Sequence, residues 1–132
     1  MFTPTAERMD EMAHPVVHWE IGGHNLEVLE DFYAKAFGWA IREGGSGYRL
    51  ADPADGGLGG GLMRAGKQMP PYVTVYVQVD DLQAELKAIS DLGGTPLVPP
   101  TQIDERMSFA LFRDPEGNIM GLLRTDEDIR PV

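Results

Sequence analysis

Val16-Val17-His18-Trp19-Glu20-Ile21-Gly22-Gly23-His24-Asn25-Leu26, running on to Phe37-Gly38, is matched later by Tyr72-Val73-Thr74-Val75-Tyr76-Val77-Gln78-Val79-Asp80-Asp81-Leu82, running on to Leu92-Gly93-Gly94. Each stretch opens with a run rich in β-branched and aromatic residues, as a strand requires. Each then changes to helical spacing, with Leu26, Leu29, Phe32, Tyr33, Ala36 and Phe37 in the first and Leu82, Leu86, Ile89 and Leu92 in the second. Asn25 is placed to cap the first helix and Gly38 to end it; Asp80 and Gln83 form a capping-box-like pair before the second, which Gly93-Gly94 stops. Leu26 to Leu82 and Gly38 to Gly94 share one offset, 56 residues, which sets His18 level with Thr74.

The ends of the two stretches match as well. Gly61-Leu62-Met63-Arg64 reads like Gly121-Leu122-Leu123-Arg124 at an offset of 60, so about four residues are inserted between the landmarks. A turn precedes each: Asp52-Pro53-Ala54-Asp55-Gly56 and Asp114-Pro115-Glu116-Gly117. Two further strands fit in each half, at 39–43 and 47–51 and again at 95–98 and 107–113, with Pro99-Pro100 opening a loop through Arg106. The reading is a duplicated β-α-β-β-β module of α+β class. Residues 1–13 form an extension, 14–65 the first module, 66–71 a Pro- and Gly-rich linker, 72–124 the second module and 125–132 a tail. Both ends are polar and expected to be loosely held, and the first could pack across a dimer partner.

Composition narrows the function. The 132 residues carry 21 acidic and 11 basic side chains, a net charge of −10, and are 42% hydrophobic. One domain of this size buries roughly two-thirds of its unfolded surface. Acidic charge without basic clusters argues against nucleic acid or anionic lipid as partner. No apolar run reaches the roughly 20 residues of a membrane span, and the N-terminus lacks the basic-then-apolar order of a secretory signal. With no cysteine, disulfides, iron–sulfur clusters, thiolate zinc sites and cysteine nucleophiles are excluded. A cytoplasmic location fits these features.

The chain resembles the vicinal oxygen chelate superfamily of glyoxalase I, bleomycin-resistance proteins and extradiol dioxygenases. The resemblance rests on Val17-His18-Trp19-Glu20-Ile21, Leu29-Glu30-Asp31-Phe32-Tyr33 and Phe37-Gly38-Trp39 in the first half. In the second it rests on Val77-Gln78-Val79-Asp80-Asp81-Leu82, Leu92-Gly93-Gly94-Thr95 and Phe112-Arg113-Asp114-Pro115-Glu116-Gly117-Asn118. It implies two modules curling their strands into a cupped mixed sheet around a small-molecule cavity, commonly as a homodimer. Members include enzymes and proteins that only bind a drug, so the fold does not decide the activity. Metal-dependent members place one ligand on the first and last strand of each half. Carried onto this chain those positions are His18, Gly61, Thr74 and Gly121, of which only the histidine is a competent donor. The expectation is no bound metal and no cofactor. A displaced His18/Glu20 site, with His14 and Val16 on the same parity, is the alternative.

Strand parity sorts the remaining side chains. Val73, Val75, Val77 and Val79, like Val17, Trp19 and Ile21, are expected to meet the helices. Val16, His18, Glu20, Gly61, Met63, Thr74, Tyr76, Gln78, Ile119, Gly121 and Leu123 are expected to line the cup, with the two glycines widening it. A few polar groups among apolar ones suit a small-molecule pocket. His18, Glu20, Thr74, Tyr76 and Gln78 would orient an organic, partly aromatic ligand while Gly61, Met63, Gly121 and Leu123 complete the wall. If the protein is an enzyme, His18 and Glu20 supply an acid–base pair for an isomerase- or lyase-like step. Plainer readings stand beside these: a solvated sheet face for Tyr76 and Gln78, gap filling for Met63 and Met69, or a cup plugged by Tyr76, Met63 and Leu123. The glycine-rich run Asp52 to Gly61 has no lysine or helix start after it and reads as a hairpin rather than a phosphate loop. None of Ser46, Ser90 and Ser108 lies in a nucleophile elbow.

Overall fold

A computed structural model describes residues 13–125; the parts of the expected extension and tail at 1–12 and 126–132 lie outside the described residues. The first half runs β1 (Val16–Gly23), α1 (Leu26–Phe37), β2 (Ile41–Glu43), β3 (Tyr48–Ala51) and β4 (Gly60–Arg64). The second runs β5 (Tyr72–Gln78), α2 (Leu82–Asp91), β6 (Thr95–Gln102), β7 (Met107–Arg113) and β8 (Ile119–Thr125). All eight strands join one mixed sheet in the order β2-β3-β4-β1-β5-β8-β7-β6, so the two halves meet where β1 pairs antiparallel with β5. Within each half the first strand lies parallel to the last, β1 on β4 and β5 on β8.

The register of the central pair follows the duplication. Trp19 lies opposite Val75, its own counterpart at the offset of 56, which puts a pseudo-twofold axis through that pair. The flanking pairs, His18 with Tyr76 and Glu20 with Thr74, are images of one another about that axis. Glu20 also lies beside Gly61 and Tyr76 beside Gly121, so the later offset of 60 falls in register too.

Helix ends obey their sequence cues with one change. The Asn25 side chain accepts from Val28 N at 3.1 Å, and Gly38 closes α1 in the left-handed region at φ 71°, a conformation nearly free of cost only for glycine. For α2 the cap is Asp81, whose carboxylate accepts from Ala84 N at 3.0 Å, rather than Asp80 paired with Gln83. Beneath α2, Leu82 and Leu86 pack with Val79, Ala110 and Leu122, and Val77, Ile89 and Phe112 edge that core. Beneath α1, Leu26 and Leu62 are fully buried, and Trp39 stacks on Tyr33 (5.4 Å) and packs at a tilt against Trp19 (4.8 Å).

Four expectations need correction. Val77 and Val79 do meet a helix, but Val73 is 71% exposed, because the two helices cover the outer strands and leave this end of β5 open. Val16 leaves the cup parity: the register slips between Val16 and His18, so Val16 pairs with Val77 on the helix side. His14 follows it, its Nε2 3.7 Å from the Glu85 carboxylate on α2. Finally, β6 does not stop at Pro99-Pro100. It is an edge strand whose register shifts twice across its prolines, and an edge tolerates a residue that cannot donate inward.

Candidate functional site

Residues paired across a sheet project to the same face, and the registers gather one polar cluster on the face away from the helices. Its centre is Glu20, a carboxylate only 4% exposed. The Tyr72 hydroxyl donates to its Oε2 at 2.5 Å and the Tyr76 hydroxyl to its Oε1 at 3.0 Å. The Tyr48 hydroxyl lies 2.7 Å from His18 Nε2, which adds the imidazole and a third phenol to the cluster. His18 packs edge-on to the Tyr76 ring, 5.7 Å between centroids, and roughly parallel to Tyr48. Thr74, 4% exposed, donates to the carbonyl of Ile119 at 2.6 Å. Among the described residues no buried side-chain polar atom lacks a partner.

Burial acts on these groups in opposite directions. Removing Glu20 from water raises its pKa, and the hydrogen bonds from Tyr72 and Tyr76 pull the other way. Burial lowers the pKa of His18, which favours the neutral imidazole. All three tyrosines are raised, first by burial and then by the adjacent Glu20 charge, so they act as phenol donors and not as phenolates.

Gly61 and Gly121 do not widen the cup. A Cβ on Gly121 would stand 2.4 Å from the Tyr76 ring, and one on Gly61 would stand 2.1 Å from the Tyr48 hydroxyl. The absent side chains are the space those rings occupy. The four positions that hold a metal in metal-dependent relatives therefore do not fit a cation here. Two are glycines under tyrosine rings, the threonine hydroxyl is committed to a backbone carbonyl, and the lone histidine is bonded to a phenol. The displaced site fits no better: among the described residues no three His, Asp or Glu side chains converge on one point.

Of the residues expected to line the cup, His18, Glu20, Thr74, Tyr76, Gly61 and Gly121 come together at the sheet centre. Met63 lies on the same face, between Gly22 and Tyr48. Gln78 and Leu123 pair one step further along, and the Gln78 amide is spent on Thr125 at 2.9 Å, outside the cluster. Sequence reading missed Tyr72 and Tyr48. Tyr72 shares the parity of Thr74 and Tyr76 and was open to detection. Tyr48 sits on a four-residue strand whose facing is set only by its pairing with Met63.

Comparison with known proteins agrees with the duplicated fold. The sequence profile described as "Glyoxalase-like domain" matches residues 20–123, and the chain belongs to that family, within the vicinal oxygen chelate superfamily. The protein named "Putative glyoxylase CFP32" of Mycobacterium tuberculosis, and its counterpart in Mycobacterium bovis, are 30% identical over 80 residues. Those 80 residues are 61% of this chain and 31% of each relative, so the chain spans about a third of the curated proteins it matches. A structure described as an NAD-dependent benzaldehyde dehydrogenase from Legionella pneumophila superposes with a TM-score of 0.62 at 17% identity, over 83% of this chain and 98% of that one. Methylmalonyl-CoA epimerase from Mycobacterium tuberculosis does so with a TM-score of 0.58 at 17% identity, over 86% and 89%. At such identities these two establish the shared fold alone.

Proposed function

We propose that this protein is a metal-independent small-molecule-binding member of the glyoxalase-like family, taking an organic, partly aromatic ligand against the cup face of its sheet. The observation that carries this reading is the makeup of that face. Its centre is built from groups that hydrogen-bond and stack, His18, Glu20, Tyr48, Tyr72 and Tyr76, while two of the four positions that hold a cation in metal-dependent relatives are glycines under tyrosine rings. Apolar wall supplies binding at about 25 cal/mol per Å² buried, and the sparse polar groups fix orientation. The working state is a homodimer. Calorimetry against a panel of small aromatic compounds should find at least one saturable ligand whose affinity falls when His18 or Tyr76 is replaced. A panel that yields no binding with intact protein, or binding that both variants leave untouched, removes the reading.

One observation favours a second reading. His18 bonds the Tyr48 phenol and packs against Tyr76, a donor to Glu20, which sets a neutral base in one cluster with a carboxyl group and suits proton abstraction beside a carbonyl. Under it, His18→Ala abolishes exchange of the ligand's acidic C–H for solvent deuterium while leaving affinity nearly intact. Under the binding reading, the same change weakens affinity and no exchange occurs in either protein.

A further inference from the structure

We infer that the ligand of this cup carries a positive charge: the cluster around Glu20 is a cage for a small organic cation, an alkyl- or arylammonium group. The inference rests on the binding reading above and adds the ligand's charge to it. Three features of the cluster carry it.

The first is what surrounds the carboxylate. Glu20 is nearly closed off from water, and its hydrogen-bond donors are phenols: Tyr72 at 2.5 Å and Tyr76 at 3.0 Å. Among the described residues no arginine or lysine forms an ion pair with it; Arg49, next to Tyr48 on β3, faces the other side of the sheet and pairs with Glu30 at 2.9 Å. A buried carboxylate satisfied in hydrogen bonds but not in charge is costly, and an arriving cation supplies the missing compensation.

The second feature is the rings. The phenols gather their rings around one carboxylate, and the imidazole of His18 packs against two rings, Tyr48 and Tyr76. Aromatic faces attract cations through the ring quadrupole, most strongly where water is excluded, and recognition of quaternary ammonium groups by aromatic cages uses that attraction. Tyr48, Tyr72 and His18 are half-buried and so partly open to solvent, whereas Glu20 and Tyr76 are buried. An ammonium too bulky to strip the carboxylate of its phenol donors can rest on the rings and still feel the charge beneath.

The third feature is the field of the whole chain. A net charge of −10 raises the local concentration of cations and repels anions, including carboxylate and phosphate ligands.

Titration calorimetry on the intact protein with benzyltrimethylammonium, benzyl alcohol and benzoate tests this at neutral pH and fixed ionic strength. The ammonium should bind at least tenfold more tightly than the alcohol, and benzoate most weakly. Glu20→Gln should remove most of the preference for the cation over the alcohol. Tyr72→Leu, which removes one ring and one phenol donor from Glu20, should weaken the cation more than the alcohol. If the alcohol binds as tightly as the ammonium, the cation inference is overturned and the binding cup survives. If none of the three binds, the cup itself is in question along with the charge assigned to its ligand.

Discussion

At the scale of single residues, Glu20 and His18 tie the cluster to pH with opposite signs. Burial raises the pKa of Glu20, so the folded state holds its proton more tightly than the unfolded chain does. Its contribution to stability is therefore fully present below about 4.5 and is lost as pH rises through the raised value. His18 is lowered, so its contribution is present above about 6.5 and is lost as pH falls through the lowered value. Glu20→Gln removes the first dependence and leaves every other carboxylate in place. The difference in melting temperature, wild type minus Glu20→Gln, should fall as pH is raised from 4 to 8; a flat difference would mean Glu20 titrates as it does in water. The glycines give a second prediction. Gly121→Ala drives a methyl into the Tyr76 ring, and overpacking of this kind costs about 1–3 kcal/mol. Because the displaced ring also carries the donor to Glu20 Oε1, urea unfolding should show a loss in that range, and Tyr76→Leu in the same chain should recover part of it. The sequence showed that no ligand side chain stands at 61 or 121. It could not show that tyrosines on other strands fill the space, because that depends on pairing across strands far apart in the chain.

Element by element, the duplication was the most informative signal in the chain. A single offset placed β1, α1, β5 and α2; their register, symmetric about Trp19 and Val75, is set by the pairing and not by the offset. What escaped was decided by neighbours rather than by local pattern. Alternation along β5 assigns all its odd valines to one face, but only the end beside α2 is covered, so Val73 stays in water. Pro99-Pro100 reads as a stop in isolation, yet the strand runs on because it lies at the sheet edge. The two helices also differ in how firmly they are held. α2 buries Leu82 and Leu86, whereas α1 buries only Leu26 and leaves Val28, Phe32 and Phe37 largely exposed. α1 therefore leans more on its ends. Replacing the cap by Asn25→Ala should cost about 1 kcal/mol, a drop of roughly 4 °C in Tm for a domain of this size. Hydrogen exchange in the first turn of α1 should rise more than Asp81→Ala raises it in α2; equal changes would show that packing, not capping, holds both.

For the whole molecule, the exposed apolar residues and the net charge pull self-association in opposite directions, and salt separates them. Phe32 and Phe37 on α1 and Val73 on β5 are more than half exposed, surface that a second copy would remove from water. Against this, each copy brings a charge of −10, and like charges on approaching chains repel over roughly 10 Å at 0.1 M ionic strength, further in dilute buffer. A homodimer held by apolar contact should therefore tighten as salt is added, the reverse of one held by ion pairs. Sedimentation velocity at about 50 μM is expected to give a species of twice the chain mass at 150 mM salt and a larger monomer fraction near 10 mM. Phe32→Glu adds a charge to the apolar face of α1 and should shift the equilibrium to monomer at both salts if that face is buried between copies. Val73→Glu does the same for the open end of β5, so the two variants locate the contact. A chain that sediments as monomer under every one of these conditions would show that the cup works within a single copy, and the exposed phenylalanines would need another explanation.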